Sequence, residues 1–466
     1  MVFASVEFLT LFLPLFFLAY FVVPRRGRNL VLLLASWVFY GWWKPIFLFL
    51  LLGVIVTGYF IGLAIEAARD DRGKQRLLAF GAAAMLLCLG WFKYANLLVD
   101  TANQGLALFH IGGFVWDDVI LPIGVSFYIL QSISYHYDIR RGVVRAEKSF
   151  LAYAVYISFF TQLVAGPVIR YSWVDKELAS RELRFDNFCR GGRRFMIGFC
   201  MKVLIADSLA PTVDHVFGLS APSLADAWIG SLAYTLQLYF DFAGYSAMAI
   251  GLGLILGFHF PENFEDPYLS TSIQEFWRRW HISLSSWLRD YLYIALGGNR
   301  GGTIRTYVNL ILTMAIGGLW HGAAWTFMAW GLIHGFALAI ERAVRRMGVT
   351  LPLVLAWPAT LFTVMIAWTL FRATSWGMAQ TMLAGQFGLN GIALGDEVAA
   401  ALHPTVIFWL AAGSLVVVWP VLAARGRALL AMVPAWWQGV WPVLAFLYAL
   451  AVLEGRETVP FLYFQF

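Results

Sequence analysis

The sequence predicts an all-α, polytopic membrane protein, and three observations carry that expectation. Of 466 residues, 61% are apolar and only 13% are charged, whereas soluble domains run at about 25% charged. Apolar stretches of about twenty residues recur from end to end, long enough to cross a bilayer as helices. None shows the alternation of a lipid-facing β-strand, and backbone groups in hydrocarbon must be satisfied within the segment, so helices are expected rather than a barrel. Mean hydropathy is +0.72.

The segments follow in order. Residues 3–23 form a first span, read as retained because no basic region precedes it and no small-residue cleavage site follows. The cluster Pro24-Arg-Arg-Gly-Arg28 closes it. Residues 29–43 and 45–64 make a pair, residues 66–76 a charged loop, and 77–92 another span. Residues 97–118 are only moderately apolar and are expected along the interface. Residues 119–137 and 150–168 return to the membrane, the latter ending at Gly166-Pro167, where a helix breaks or kinks. Residues 176–194 form the longest charged stretch and suit the cytoplasmic surface. Residues 196–209 and 227–260 are apolar, the second interrupted by Tyr239-Phe-Asp-Phe-Ala-Gly244. Residues 263–298 are too polar for simple spans and are expected to be re-entrant, which only a protein-lined setting tolerates. Residues 327–340, 351–371, 406–421 and 436–453 complete about twelve spans. The chain reads as one domain over 1–466, with a motif core at 263–340 and a tail at 454–466.

A net charge of +6 does not signal nucleic acid, because the basic residues fall in short loops as the positive-inside rule requires. That rule places both termini on the outer side. The three cysteines have no metal-ligand spacing, no His or Cys cluster suggests a metal, and no Gly-x-Ser-x-Gly elbow suggests a serine hydrolase.

Ionisable groups inside apolar sequence are costly and mark function or a partner. His136, Asp241 and His334 are such groups, and all three are candidates to line a tunnel. His321 and His334 sit in matching frames, Gly318-Leu-Trp-His-Gly322 and Gly331-Leu-Ile-His-Gly335. Gly-x-x-x-Gly frames also serve close helix packing, so packing and chemistry stand side by side here. The two histidines are thirteen residues apart, about 20 Å along a continuous helix, and meet only if the chain turns between them. A histidine supplies a base near neutral pH, which makes His321 the proposed centre of a transfer reaction. His281 follows Trp277 by one helical turn, with Arg278, Arg279 and Trp280 between them. Those arginines suit phosphate groups or lipid anchoring alike.

Trp277-Arg-Arg-Trp-His281, Trp287-Leu-Arg-Asp-Tyr291 and Gly317-Gly-Leu-Trp-His-Gly322 together resemble the membrane-bound O-acyltransferase family. Gln162-Leu-Val-Ala-Gly-Pro167, Tyr239-Phe-Asp-Phe-Ala-Gly-Tyr245 and Phe461-Leu-Tyr-Phe-Gln-Phe466 resemble its bacterial branch serving alginate O-acetylation, so the likeness covers nearly the whole chain. The resemblance implies a ring of helices about a central tunnel, a catalytic histidine at His321 and a second functional polar position at His281. It implies acetyl-CoA as donor substrate with no bound cofactor, a periplasmic acetyltransferase as partner, and residence in the bacterial inner membrane. Trp277, Arg278, Arg279, Trp280, Arg300 and Trp320 become candidates for donor binding, and Tyr463 for acyl relay or partner docking. D-alanyl transfer to a cell-envelope polymer and a proton-coupled transporter are the rival readings; the transporter is disfavoured by the lack of internal repeats.

Overall fold

The computed structural model describes residues 1–163, 166–425, 434–456 and 461–462. Among these residues every regular element is helical. Eight helices among the described residues are long and apolar enough to cross a membrane: Ile46–Ala67, Asp71–Leu108, Phe185–Gly218, Leu224–Ile255, Trp325–Arg346, Leu353–Arg372, Pro404–Ala424 and Trp436–Glu454. Two shorter apolar helices, Phe8–Val22 and Phe150–Leu163, accompany them. The polytopic all-α fold is therefore as expected, with part of the dozen segments built from shorter or more polar helices such as Arg28–Gly41, Val125–Arg140 and Gly302–His321.

Packing groups the chain into two compact units, Met1–Gly191 with Leu252–Pro261, and Gly192–Gly251 with Glu262–Phe466. In the first unit, Phe3, Phe8, Phe12, Phe16 and Phe39 gather around Phe160 with ring centroids 5.1–6.4 Å from it. Such aromatic contacts each add about 0.5–1.5 kcal/mol beyond area burial. His136 lies wholly buried here, its Nε2 2.7 Å from the Gly58 carbonyl oxygen. The break expected between residues 92 and 97 does not occur: Asp71–Leu108 is one helix. No proline interrupts it, and its asparagines bond to the returning chain instead. Asn96 Oδ1 accepts from Val119 N at 2.9 Å, and Asn103 Oδ1 accepts from Phe114 N at 2.7 Å.

The second unit holds the motif core. Leu224–Ile255 runs unbroken through Tyr239–Gly244, the motif that interrupts its apolar sequence. Asp241 is accommodated without a break because Lys202 Nζ lies 2.8 Å from its Oδ1 and 2.5 Å from Asp207 Oδ1. Its other oxygen accepts from Leu462 N at 2.9 Å, so it also holds the tail at that residue. Lys202 reaches Asp207, five residues on, because Met201–Ala206 is a π-helix. In α register those two positions would diverge round the helix; an i, i+5 register brings them together. Asp241 is thus one of three members of a buried ion cluster. Replacing Lys202 with Met should destabilise the protein by about 3–5 kcal/mol, since it strands buried carboxylates. Thermal melts in detergent check this, and an unchanged melting point would refute it.

Residues 263–298, expected to be re-entrant, contain short helices: Ile273–Arg279, Ile282–Trp287 and the π-helix Leu288–Tyr293.

Candidate active site

Gly302–His321 and Trp325–Arg346 form a tight helical hairpin. A Cβ on Gly318 would lie 2.2 Å from the Phe327 carbonyl oxygen, and one on Gly331 would lie 2.3 Å from that of Met314. Both Gly-x-x-x-Gly frames therefore do pack helices, and that packing is what assembles the histidines. The chain turns immediately after His321, so His321 and His334 flank one indole: their rings lie 5.1 and 5.0 Å from that of Trp330.

His281 comes from the other side. It occupies a left-handed backbone conformation (φ +44°) between two short helices, a state that costs a non-glycine residue about 1–3 kcal/mol and clusters at functional sites. The kink brings its ring to 6.3 Å from that of His321. Trp320 (5.0 Å) and Phe371 (5.4 Å) complete the wall around His321, and Phe242 meets His281 edge-on at 4.7 Å. His281 and His334 are wholly buried and His321 is 4% exposed.

Next to this aromatic shell lies a chamber of about 640 Å³ whose lining includes Trp277 and Arg278, Arg289, Arg342, Arg345 and Arg346, with Glu341 the one acidic side chain. Trp277 faces both ways: it lines the chamber and donates from Nε1 to His334 Nδ1 at 3.3 Å. Arg345 is held by Glu341 at 2.6 Å and by Gln274, and Arg346 by Thr303.

The remaining sequence candidates divide. Arg278 lines the chamber, but Arg279 does not: it pairs with Glu275 at 2.8 Å. Burial opposes ionisation of Glu275, yet the Thr271 N–H and hydroxyl together with Arg279 hold its carboxyl below the ordinary value. Arg300 is also outside the lining, where its neighbour Asn299 stands. Trp280 is buried in a stack with Phe276, Tyr268 and Trp368. Trp320 does lie beside both histidines, 5.0 Å from His321 and 6.4 Å from His281. Asp241 is committed to Lys202, and His136 belongs to the other unit. Tyr463 lies outside the described residues. Among the described residues no group of three His, Cys, Asp or Glu side chains could hold a metal ion.

Sequence reasoning missed Arg289, Arg342, Arg345, Arg346 and Asn263. The signal for three of them was present: 342, 345 and 346 share one helix face at i, i+3, i+4 spacing, continuing the helix that carries His334.

Three buried imidazoles in an aromatic shell, beside an arginine-lined chamber in a multispan helical protein, suit a membrane-embedded group-transfer enzyme. The chain belongs to the membrane-bound O-acyltransferase family, whose profile matches residues 140–378. It is 50% identical to a probable alginate O-acetylase AlgI of Azotobacter vinelandii over 91% of this chain and 85% of that one. It is 41% identical to the Pseudomonas fluorescens protein of that name over the full length of both. A peptidoglycan O-acetyltransferase of Helicobacter pylori is 40% identical over 83% of this chain and 80% of its own. The protein is an O-acetyltransferase of the membrane.

Proposed function

We propose that the enzyme takes acetyl from cytoplasmic acetyl-CoA and delivers it through the inner membrane for O-acetylation of an extracytoplasmic, alginate-like polysaccharide, with a periplasmic acetyltransferase receiving it. The relatives named for alginate and peptidoglycan acetylation support the acceptor class. The observation that carries the donor is the chamber: five arginines against one glutamate suit the phosphates of a nucleotide thioester, and Trp277 joins that chamber to His334. The basic 341–346 segment supports a cytoplasmic position for the chamber under the positive-inside rule, in a topology with both termini outside.

In this reading His321 is the general base. It accepts the proton of an acceptor hydroxyl as that oxygen attacks the thioester carbonyl; the C–O bond forms, the C–S bond breaks, and the proton passes to the departing thiolate. His281 stands beside it to share the proton or position the thioester.

The test uses the full chain in nanodiscs with radiolabelled acetyl-CoA and periplasmic extract as acceptor source. Thioester consumption with label reaching polymer is expected. Arg342→Ala and Arg345→Ala should each raise KM for acetyl-CoA by about ten- to a hundredfold, the size of a charge-assisted hydrogen bond, at similar kcat. Failure of the wild type to consume the thioester would overturn the donor assignment.

A further inference from the structure

The acyl-transfer reading leaves Asn263 without a role, although its side chain is 1% exposed and touches His281. The geometry settles which way its amide faces. The Ser283 backbone N–H, which only donates, lies 3.2 Å from the Asn263 Oδ1, and Nδ2 donates to Ser246 Oγ at 3.0 Å. Ser283 Oγ donates to the same oxygen at 2.8 Å.

An amide oxygen only accepts, so His281 Nδ1, 3.1 Å away, must bring the proton to that contact. The 3.5 Å separation of Ser283 Oγ from Nδ1 is too long to compete. A neutral imidazole carries one N–H. With the proton on Nδ1, the lone pair sits on Nε2.

Asn263 also fixes the backbone. Its carbonyl oxygen accepts from Ile282 N at 2.9 Å, so one asparagine binds three successive residues, 281 and 283 through its side chain and 282 through its main chain. Those bonds span the left-handed turn at His281 and offset its conformational cost.

We propose that Asn263 is a positioning residue of the transfer reaction, holding His281 in the Nδ1–H tautomer so that Nε2 is a basic nitrogen beside His321. This assignment rests on the acyl-transfer reading for its purpose, but its first test does not depend on activity. Histidine-¹⁵N spectra of the full chain in nanodiscs, with the His281 signal assigned by difference from His281→Gln, should show a protonated Nδ1 and a pyridine-type Nε2. Asn263→Leu should abolish that preference and lower kcat by about 10²- to 10⁴-fold, the range set by losing a correctly poised base, with KM for acetyl-CoA nearly unchanged. Asn263→Asp keeps the acceptor and should keep both the tautomer and most of kcat. A wild-type His281 protonated on Nε2, or an Asn263→Leu spectrum identical to wild type, overturns the proposal. A wild type with the expected spectrum but no thioester turnover would indict the donor reading and leave the tautomer assignment standing.

Discussion

His321→Gln is expected to lower acetyl transfer by about 10²- to 10⁴-fold, the contribution of one positioned general base, while the protein folds as before. Glutamine preserves volume and polarity in a pocket walled by Trp320, Trp330 and Phe371, so the loss would report on the base and not on a cavity. KM for acetyl-CoA should change little, because His321 is not among the residues that line the arginine chamber. Combining His321→Gln with His281→Gln should cost little more than the larger single effect if the two imidazoles act as a unit. Single-turnover measurements with labelled acetyl-CoA, run beside melting curves, decide it. Full activity in His321→Gln would reduce the residue to a packing element and remove the centre of the proposed mechanism.

Gly331→Ala should be as damaging for a different reason. The added methyl would sit 2.3 Å from the Met314 carbonyl oxygen, a backbone atom that cannot rotate away. The hairpin would have to open, at a cost of about 3 kcal/mol or more. Opening it moves Trp330 and therefore both His321 and His334, so activity and stability should fall together. Gly90→Ala is the control: nothing lies within 4 Å of the added atom, in the middle of the Asp71–Leu108 helix. There alanine should stabilise by up to about 1 kcal/mol through helix propensity. Equal melting points for wild type and Gly331→Ala would show that the helix pair tolerates separation.

The sequence singled out the histidines that the structure brings together, because an ionisable side chain in an apolar run is conspicuous wherever it lies. What it did not reveal was their convergence. His281 and His321 meet because the chain kinks at His281 and stops at Gly322, and neither event has a periodic signature. Arg278 and Arg279 looked equivalent, yet successive helical residues diverge by about 100°, which sends one to the chamber and the other back to Glu275. Asn263 was invisible because its partners, 281 and 283, are distant in sequence and no local pattern joins them. Lys202 escaped for the converse reason: its neighbours are apolar, and its two carboxylate partners come from a π register and from another helix.

That π-helical turn carries a consequence for how the gene can vary. The Lys202–Asp207 pair exists only because one extra residue is accommodated between positions 201 and 206. Substitutions among the apolar members of that turn leave the register intact, whereas a single-codon deletion would return the segment to α geometry and rotate everything beyond it by about 100°. Residue count, more than residue identity, is therefore the property of this turn that drift cannot alter. Homologous chains should accept exchanges there far more readily than insertions or deletions.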